Sequence, residues 1–345
     1  WVIKYLVEYF RGNAKLLAED GYFTDFISNG VSTELCFVAF CAFTLIIIFA
    51  GVQNGIERVS KIMMPILIVL SVIIAVYSVT RPGALAGVKY FLVPNVKNFS
   101  WMTVVSAMGQ MFYSLSIAMG ILITFGSYMK KDTAIEDSTR NVEVFDTGIA
   151  IMAGLMIIPA VFAFSGGDPD TLQAGPSLMF ITIPKVFQNM GFGTVIGIVF
   201  FLLVLFAAVT SSIALTESAV STFEDELGWG RKKATVLVGV IMLVLGSLSS
   251  LGYGPLAGIK IIGMQFLDLF DFLTNSVMMP IAALLTSLLV SRVVGIDKIE
   301  EEIIHGESAF RRKKVFVVMI KYLCPVFAII ILLSSVANAL GWIKM

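Results

Sequence analysis

Residues 107–120 read A-M-G-Q-M-F-Y-S-L-S-I-A-M-G, an apolar run in which Gln110, Ser114 and Ser116 fall between Gly109 and Gly120. Polar side chains and glycines at bilayer depth have two readings. The serines of an intact helix bond carbonyls one turn back or pack against small residues of a neighbour. Alternatively the helix unwinds, which is tolerated inside a membrane only where the chain is buried in protein or lines a watery cavity. An unwound segment frees carbonyls and amides for a ligand and adds the dipoles of two half-helix ends. A second segment, A-A-V-T-S-S at 207–212, places Ala207, Thr210 and Ser211 at i, i+3 and i+4, with Leu215 one turn on. Two hydroxyls and a carbonyl are hard oxygen donors suited to a small cation such as Na⁺, although helix–helix hydrogen bonding uses the same residues. The third candidate is Asp146. It is either an intramembrane carboxylate, and so a functional group, or an acid beside a helix N-terminus.

These groups need helices to hold them. The chain has 345 residues, 58% hydrophobic and 14% charged, with a formal net charge of +0 and a mean hydropathy of +0.92. That composition is an α-helical, multi-span membrane protein, and the zero net charge gives no footprint for nucleic acid. At roughly 20 apolar residues per span, full spans are predicted at 33–52, 62–79, 103–128, 144–164, 190–221, 233–252, 262–291 and 315–340. Residues 1–10 read as the tail of another span, as though the sequence were a piece of a longer chain. The 165–189 loop is rich in Gly and Pro, and a short amphipathic helix is expected at 181–187. One alternating set of loops, including Arg58, Lys130, Arg231 and Arg311–Lys314, carries 14 basic residues against 7 in the other. The first set is therefore cytoplasmic and the 165–189 loop external. Cys36, Cys41 and Cys324 lack metal-ligand spacing and read as small buried hydrophobes, and His305 falls in a charged loop.

In this order along the chain, the motifs resemble the neurotransmitter:sodium symporter family, whose bacterial members have the LeuT-type fold. The resemblance rests on G-I-E-R-V-S-K-I-M-M-P (55–65), the G-Q-M-F-Y-S-L-S segment, and A-G-P-S-L-M-F (174–180). It continues through T-S-S followed by F-E-D-E-L (223–227), and D-L-F-D-F-L (268–273). The implied fold is an all-α integral membrane protein, a partial LeuT-type inverted-repeat bundle. The whole chain would be a single transmembrane domain: 1–10 the end of helix 3, 33–79 helices 4 and 5, 103–291 helices 6 to 10, and 315–340 helix 11. The family's first two helices would be absent.

By position, the resemblance implies that Tyr113, Ser114, Ser116 and Met119 form one wall of an amino-acid pocket, with Ser211 and Leu215 facing them. It assigns Ser114 and Asp146 to one Na⁺ site and Ala207, Thr210 and Ser211 to the other. Gln110 and Asp271 belong to an outer gate, Asp268 being the neighbouring alternative to Asp271. Glu217 reads as a structural hydrogen-bond partner. Met119 stands where many relatives carry an aromatic ring. Asp146 stands where chloride-dependent animal members carry asparagine, so a fixed carboxylate would replace the chloride. The implied activity is sodium-coupled symport of neutral, hydrophobic or aromatic amino acids in a bacterial inner membrane. The implied partners are Na⁺, the amino acid and membrane lipid, and the resemblance allows a homodimer. The rivals are an inactive fragment of such a transporter and a channel, which would need a repeated pore-lining ring. An enzyme would need a paired nucleophile and base or a metal cluster, and no such set is present in the spans.

Overall fold

The structure, a computed structural model, describes residues 1–168, 175–307 and 309–339. The stretch 169–174, with Ala174 of the A-G-P-S-L motif, and Leu340, the end of the expected last span, lie outside the described residues. The named elements among the described residues are all helices, with no β-strand. Its principal helices are α1 (Val2–Phe10), α2 (Gly30–Phe49), α3 (Val52–Val79), α4 (Trp101–Ser114), α5 (Ile121–Ser127) and α6 (Ile135–Ser165). They continue as α7 (Leu178–Gln188), α8 (Gly193–Leu227), α9 (Arg231–Leu251), α10 (Phe266–Val294), α11 (Ile296–Gly306) and α12 (Lys313–Ala339).

Seven of these, α2, α3, α6, α8, α9, α10 and α12, are long and apolar enough to cross a bilayer. Eight spans were expected. The difference is 103–128, where the chain divides into α4 and α5, neither of which is a full span. The short helix expected at 181–187 is α7. Two expected starts were late. α3 begins at Val52 rather than 62 and α6 at Ile135 rather than 144, because each opens with charged turns that hydropathy reads as loop.

The chain forms two compact units, one of residues 1–95 and 148–267, the other of 96–147 and 268–345. In the first, α1, α3, the end of α6, α7 and α8 share a core of Tyr5, Ile74, Ala160, Phe180, Val186 and Phe201. Tyr5 donates its phenolic hydrogen to the Phe180 carbonyl at 2.7 Å. Small residues let these helices approach closely, as is usual in membrane bundles. A β-carbon at Gly197 of α8 would lie 2.1 Å from the Tyr9 ring, and one at Gly246 of α9 would lie 2.1 Å from the Phe37 ring of α2. In the second unit, Phe112 of α4 packs with Met279 and Ala283 of α10 and Ala328 and Ile331 of α12.

Several helices carry π-helical turns: Val52–Glu57 in α3, Phe272–Met278 and Leu289–Val294 in α10, and Met319–Leu323 in α12. Pro280 follows the first π turn of α10, and Pro325 follows that of α12. Proline cannot donate to the i−4 carbonyl, and a widened turn accommodates it.

Candidate cation and substrate site

The break between α4 and α5 is built from the backbone upward. Ser100 caps α4, accepting from the Thr103 amide at 3.3 Å while Thr103 Oγ1 accepts from the Ser100 amide at 3.2 Å. At the other end the helix closes on itself. The Ser116 amide donates to the Tyr113 carbonyl (3.1 Å) and the Ile117 amide to the Phe112 carbonyl (3.0 Å). This paired closure needs a left-handed residue after the cap. Ser116, with φ 53°, takes that place in which glycine is usual, and Ala118 follows at φ 63°. Gly120 (φ 78°) then starts α5, its carbonyl accepting from the Thr124 amide at 2.9 Å. Left-handed serine and alanine are strained at about 1–3 kcal/mol each, and such strain concentrates at functional sites. Ile117, Ala118 and Met119 pack against the Phe112 cluster, which holds the closure in place. The polar members of the run are outside that core: Gln110, Tyr113 and Ser114 are exposed and Ser116 half-buried.

Asp146 meets the end of α4. Ser114 Oγ donates to Asp146 Oδ1 at 2.8 Å. Asp146 lies well inside α6, which starts at Ile135, so the helix-terminus reading of this carboxylate is set aside. The hydrogen bond uses the one proton of the serine. It leaves the serine lone pairs and the second carboxylate oxygen to accept a cation, a donor set of hard oxygens matched to Na⁺.

The second cluster sits in the middle of α8. Thr210 Oγ1 lies 3.0 Å from both the Phe206 and the Ala207 carbonyls. Its proton is directed into the helix and its lone pairs away from it. Ser211 is exposed and Leu215 is 49% exposed, so both share a free face of α8. The opposite face carries Val209, Ile213 and Thr216, all buried. Among the described residues there is no group of three or more His, Cys, Asp or Glu side chains fit for a metal ion. Both clusters are instead of the hydroxyl and carbonyl kind, with at most one carboxylate.

Ser114 and Asp146 are thus brought into contact, as are Ala207 and Thr210. Asp271 is placed where α10 passes from α to π geometry, its Oδ1 accepting from Asn275 Nδ2 at 2.6 Å. Glu217 is wholly buried, and Arg231 donates to its two oxygens at 3.0 and 2.6 Å. The same guanidinium reaches the Ile48 carbonyl at 3.0 Å, tying the end of α2 to α8 and α9. Sequence reading identified Glu217 as structural but missed Arg231, which lies across a turn in a run of basic residues. It also missed Thr44 of α2, whose hydroxyl is 3.1 Å from that of Ser212. A threonine among the apolar residues of a span was the available signal.

A broken helix with a carboxylate at its break, and an oxygen cluster within another span, are the features of a cation-coupled transporter. A model of the sodium:neurotransmitter symporter family matches residues 4–342. The chain belongs to that family. It is 33% identical over 340 residues to the uncharacterized sodium-dependent transporter YhdH of Bacillus subtilis, covering 97% of this chain and 74% of that protein. An uncharacterized sodium-dependent transporter of Haemophilus influenzae is 30% identical over 346 residues, again covering 97% and 74%. Among solved structures, that of MhsT in complex with L-phenylalanine is similar with a TM-score of 0.83 and 33% identity, covering 97% of this chain and 76% of that one. The chain is therefore a sodium-dependent, multi-pass membrane transporter of the LeuT-type fold and not an enzyme.

Proposed function

We propose that the protein carries out sodium-coupled symport of neutral, hydrophobic or aromatic amino acids by alternating access. Ser114 and Asp146 belong to one Na⁺ site and Ala207, Thr210 and Ser211 to a second. Tyr113, Ser114, Ser116 and Met119 line the substrate pocket with Ser211 and Leu215, and Gln110 and Asp271 belong to an outer gate. On this reading the chain is one transmembrane domain corresponding to the end of helix 3 through helix 11 of the family. The contact between Ser114 and Asp146 carries the reading. It joins the end of a broken helix to a carboxylate through a bond that leaves oxygen lone pairs for a cation.

Among the proposed pocket residues, Tyr113, Met119 and Leu215 are apolar and polarizable and none is charged, which supports that substrate class. That MhsT is crystallised with L-phenylalanine supports an aromatic or large apolar substrate. A fixed negative charge at Asp146 removes the need for a bound chloride.

Uptake into proteoliposomes by the full-length protein tests this. Transport is expected with Na⁺ and not with K⁺, to be independent of chloride, and to be inhibited by Leu, Trp or Tyr but not by Asp or Lys. Asp146→Asn is expected to abolish uptake or make it respond to chloride. Inhibition by Asp or Lys alone would remove the pocket assignment, and an unaltered Asp146→Asn variant would remove the first cation site.

A further inference from the structure

Thr44 of α2 has no accessible surface. Its Oγ1 lies 3.2 Å from the Phe40 carbonyl one turn back and 3.1 Å from Ser212 Oγ of α8. A threonine hydroxyl has a single proton. Given to the Phe40 carbonyl, that proton leaves the Thr44 lone pairs to accept from Ser212. The Ser212 carbonyl is engaged too, accepting from Thr216 Oγ1 at 2.7 Å. Ser212 is thus held at both its side chain and its backbone, next in sequence to the exposed Ser211.

Apolar contacts of α8 with its neighbours are not directional, and a helix of similar side chains can roll against them at small cost. The Thr44–Ser212 bond is directional. It sits about 100° around the helix from Ser211, so it fixes the roll of α8 at the level of Thr210 and Ser211. We propose that Thr44, through Ser212, is a positioning residue for the cation site of Ala207, Thr210 and Ser211. The proposal rests on the assignment of that site made above. Thr44 touches neither ion nor substrate. It sets the direction in which the neighbouring oxygens point.

The test is the Na⁺ activation curve of amino-acid uptake by the full-length protein, normalised to folded protein, in Thr44→Val, Ser212→Ala, the double variant and Thr44→Ser. Valine keeps the shape of threonine without its hydroxyl and is well tolerated in a membrane helix. Thr44→Val and Ser212→Ala are each expected to raise the half-saturating Na⁺ concentration about two- to tenfold, the shift given by loss of one net hydrogen bond. The double variant should match the singles, and Thr44→Ser should restore the wild-type curve. A purely structural hydroxyl would lower the amount of folded protein and leave the Na⁺ curve in place, which would overturn the proposal. Thr210→Ala is the control. If it moves the Na⁺ curve while the Thr44 and Ser212 variants do not, only the positioning role fails. If Thr210→Ala leaves the curve in place, the cation site fails and the positioning role with it.

Discussion

The Glu217 carboxylate is wholly buried, and Arg231 donates to both of its oxygens. Removing one partner of such a pair leaves an uncompensated buried charge, at a cost of about 3–5 kcal/mol. Arg231→Ala is therefore expected to lower the unfolding temperature sharply in detergent, while Glu217→Leu with Arg231→Met recovers most of the loss. An Arg231→Ala protein as stable as wild type would show that the pair is dispensable. Ala118 presents the opposite case, a residue held against its preference at φ 63°. Glycine there should relieve the strain and stabilise the protein by about 1 kcal/mol. The readout is the denaturation midpoint, and a decrease would show that the alanine methyl contributes more by packing than its backbone costs. Both residues illustrate what was legible at this scale. Glu217 was recognisable as a structural hydrogen-bond partner, and 107–120 as an interrupted helix. The partner of Glu217 and the left-handed residues were not, because each depends on where the chain returns in space.

At the scale of elements, glycines set how closely the helices approach. Gly197 leaves room for the Tyr9 ring, and a β-carbon there would intrude to 2.1 Å. Gly197→Ala is expected to part α1 from α8 and destabilise the first unit by about 1–3 kcal/mol, the usual cost of overpacking. A thermal shift assay reads this directly. A neutral result would mean that Tyr9 swings aside freely. Span centres were legible because apolar runs report bilayer depth. Helix starts were not, since α6 begins with Glu136 and other charged residues that extend it beyond the apolar run. Its first turns are held by side chains instead. The Glu136 amide donates to Glu307 Oε1 at 2.6 Å, and Arg312 Nη1 lies 2.9 Å from Glu143 Oε2. The π turns of α10 and α12 left no trace in composition. Pro280 and Pro325 after two of them are the one hint, and proline alone does not distinguish a π turn from a kink.

At the scale of the molecule, sodium dependence follows from family membership, while the location of the ions is a proposal that the family resemblance implies and the local geometry supports. Its components are a broken helix closed by a left-handed serine, a carboxylate bonded to the last serine of α4, and a threonine whose lone pairs point away from α8. The measurement that tests it most directly is equilibrium binding of L-phenylalanine to the purified full-length protein as Na⁺ is titrated at constant ionic strength with K⁺. Wild type, Asp146→Asn and Thr210→Ala are compared. The account predicts saturable binding that rises with Na⁺ and is absent in K⁺, with the Na⁺ midpoint raised at least about tenfold in each variant, as loss of a charged or coordinating ligand entails. Na⁺ curves in both variants that superimpose on the wild type would contradict it.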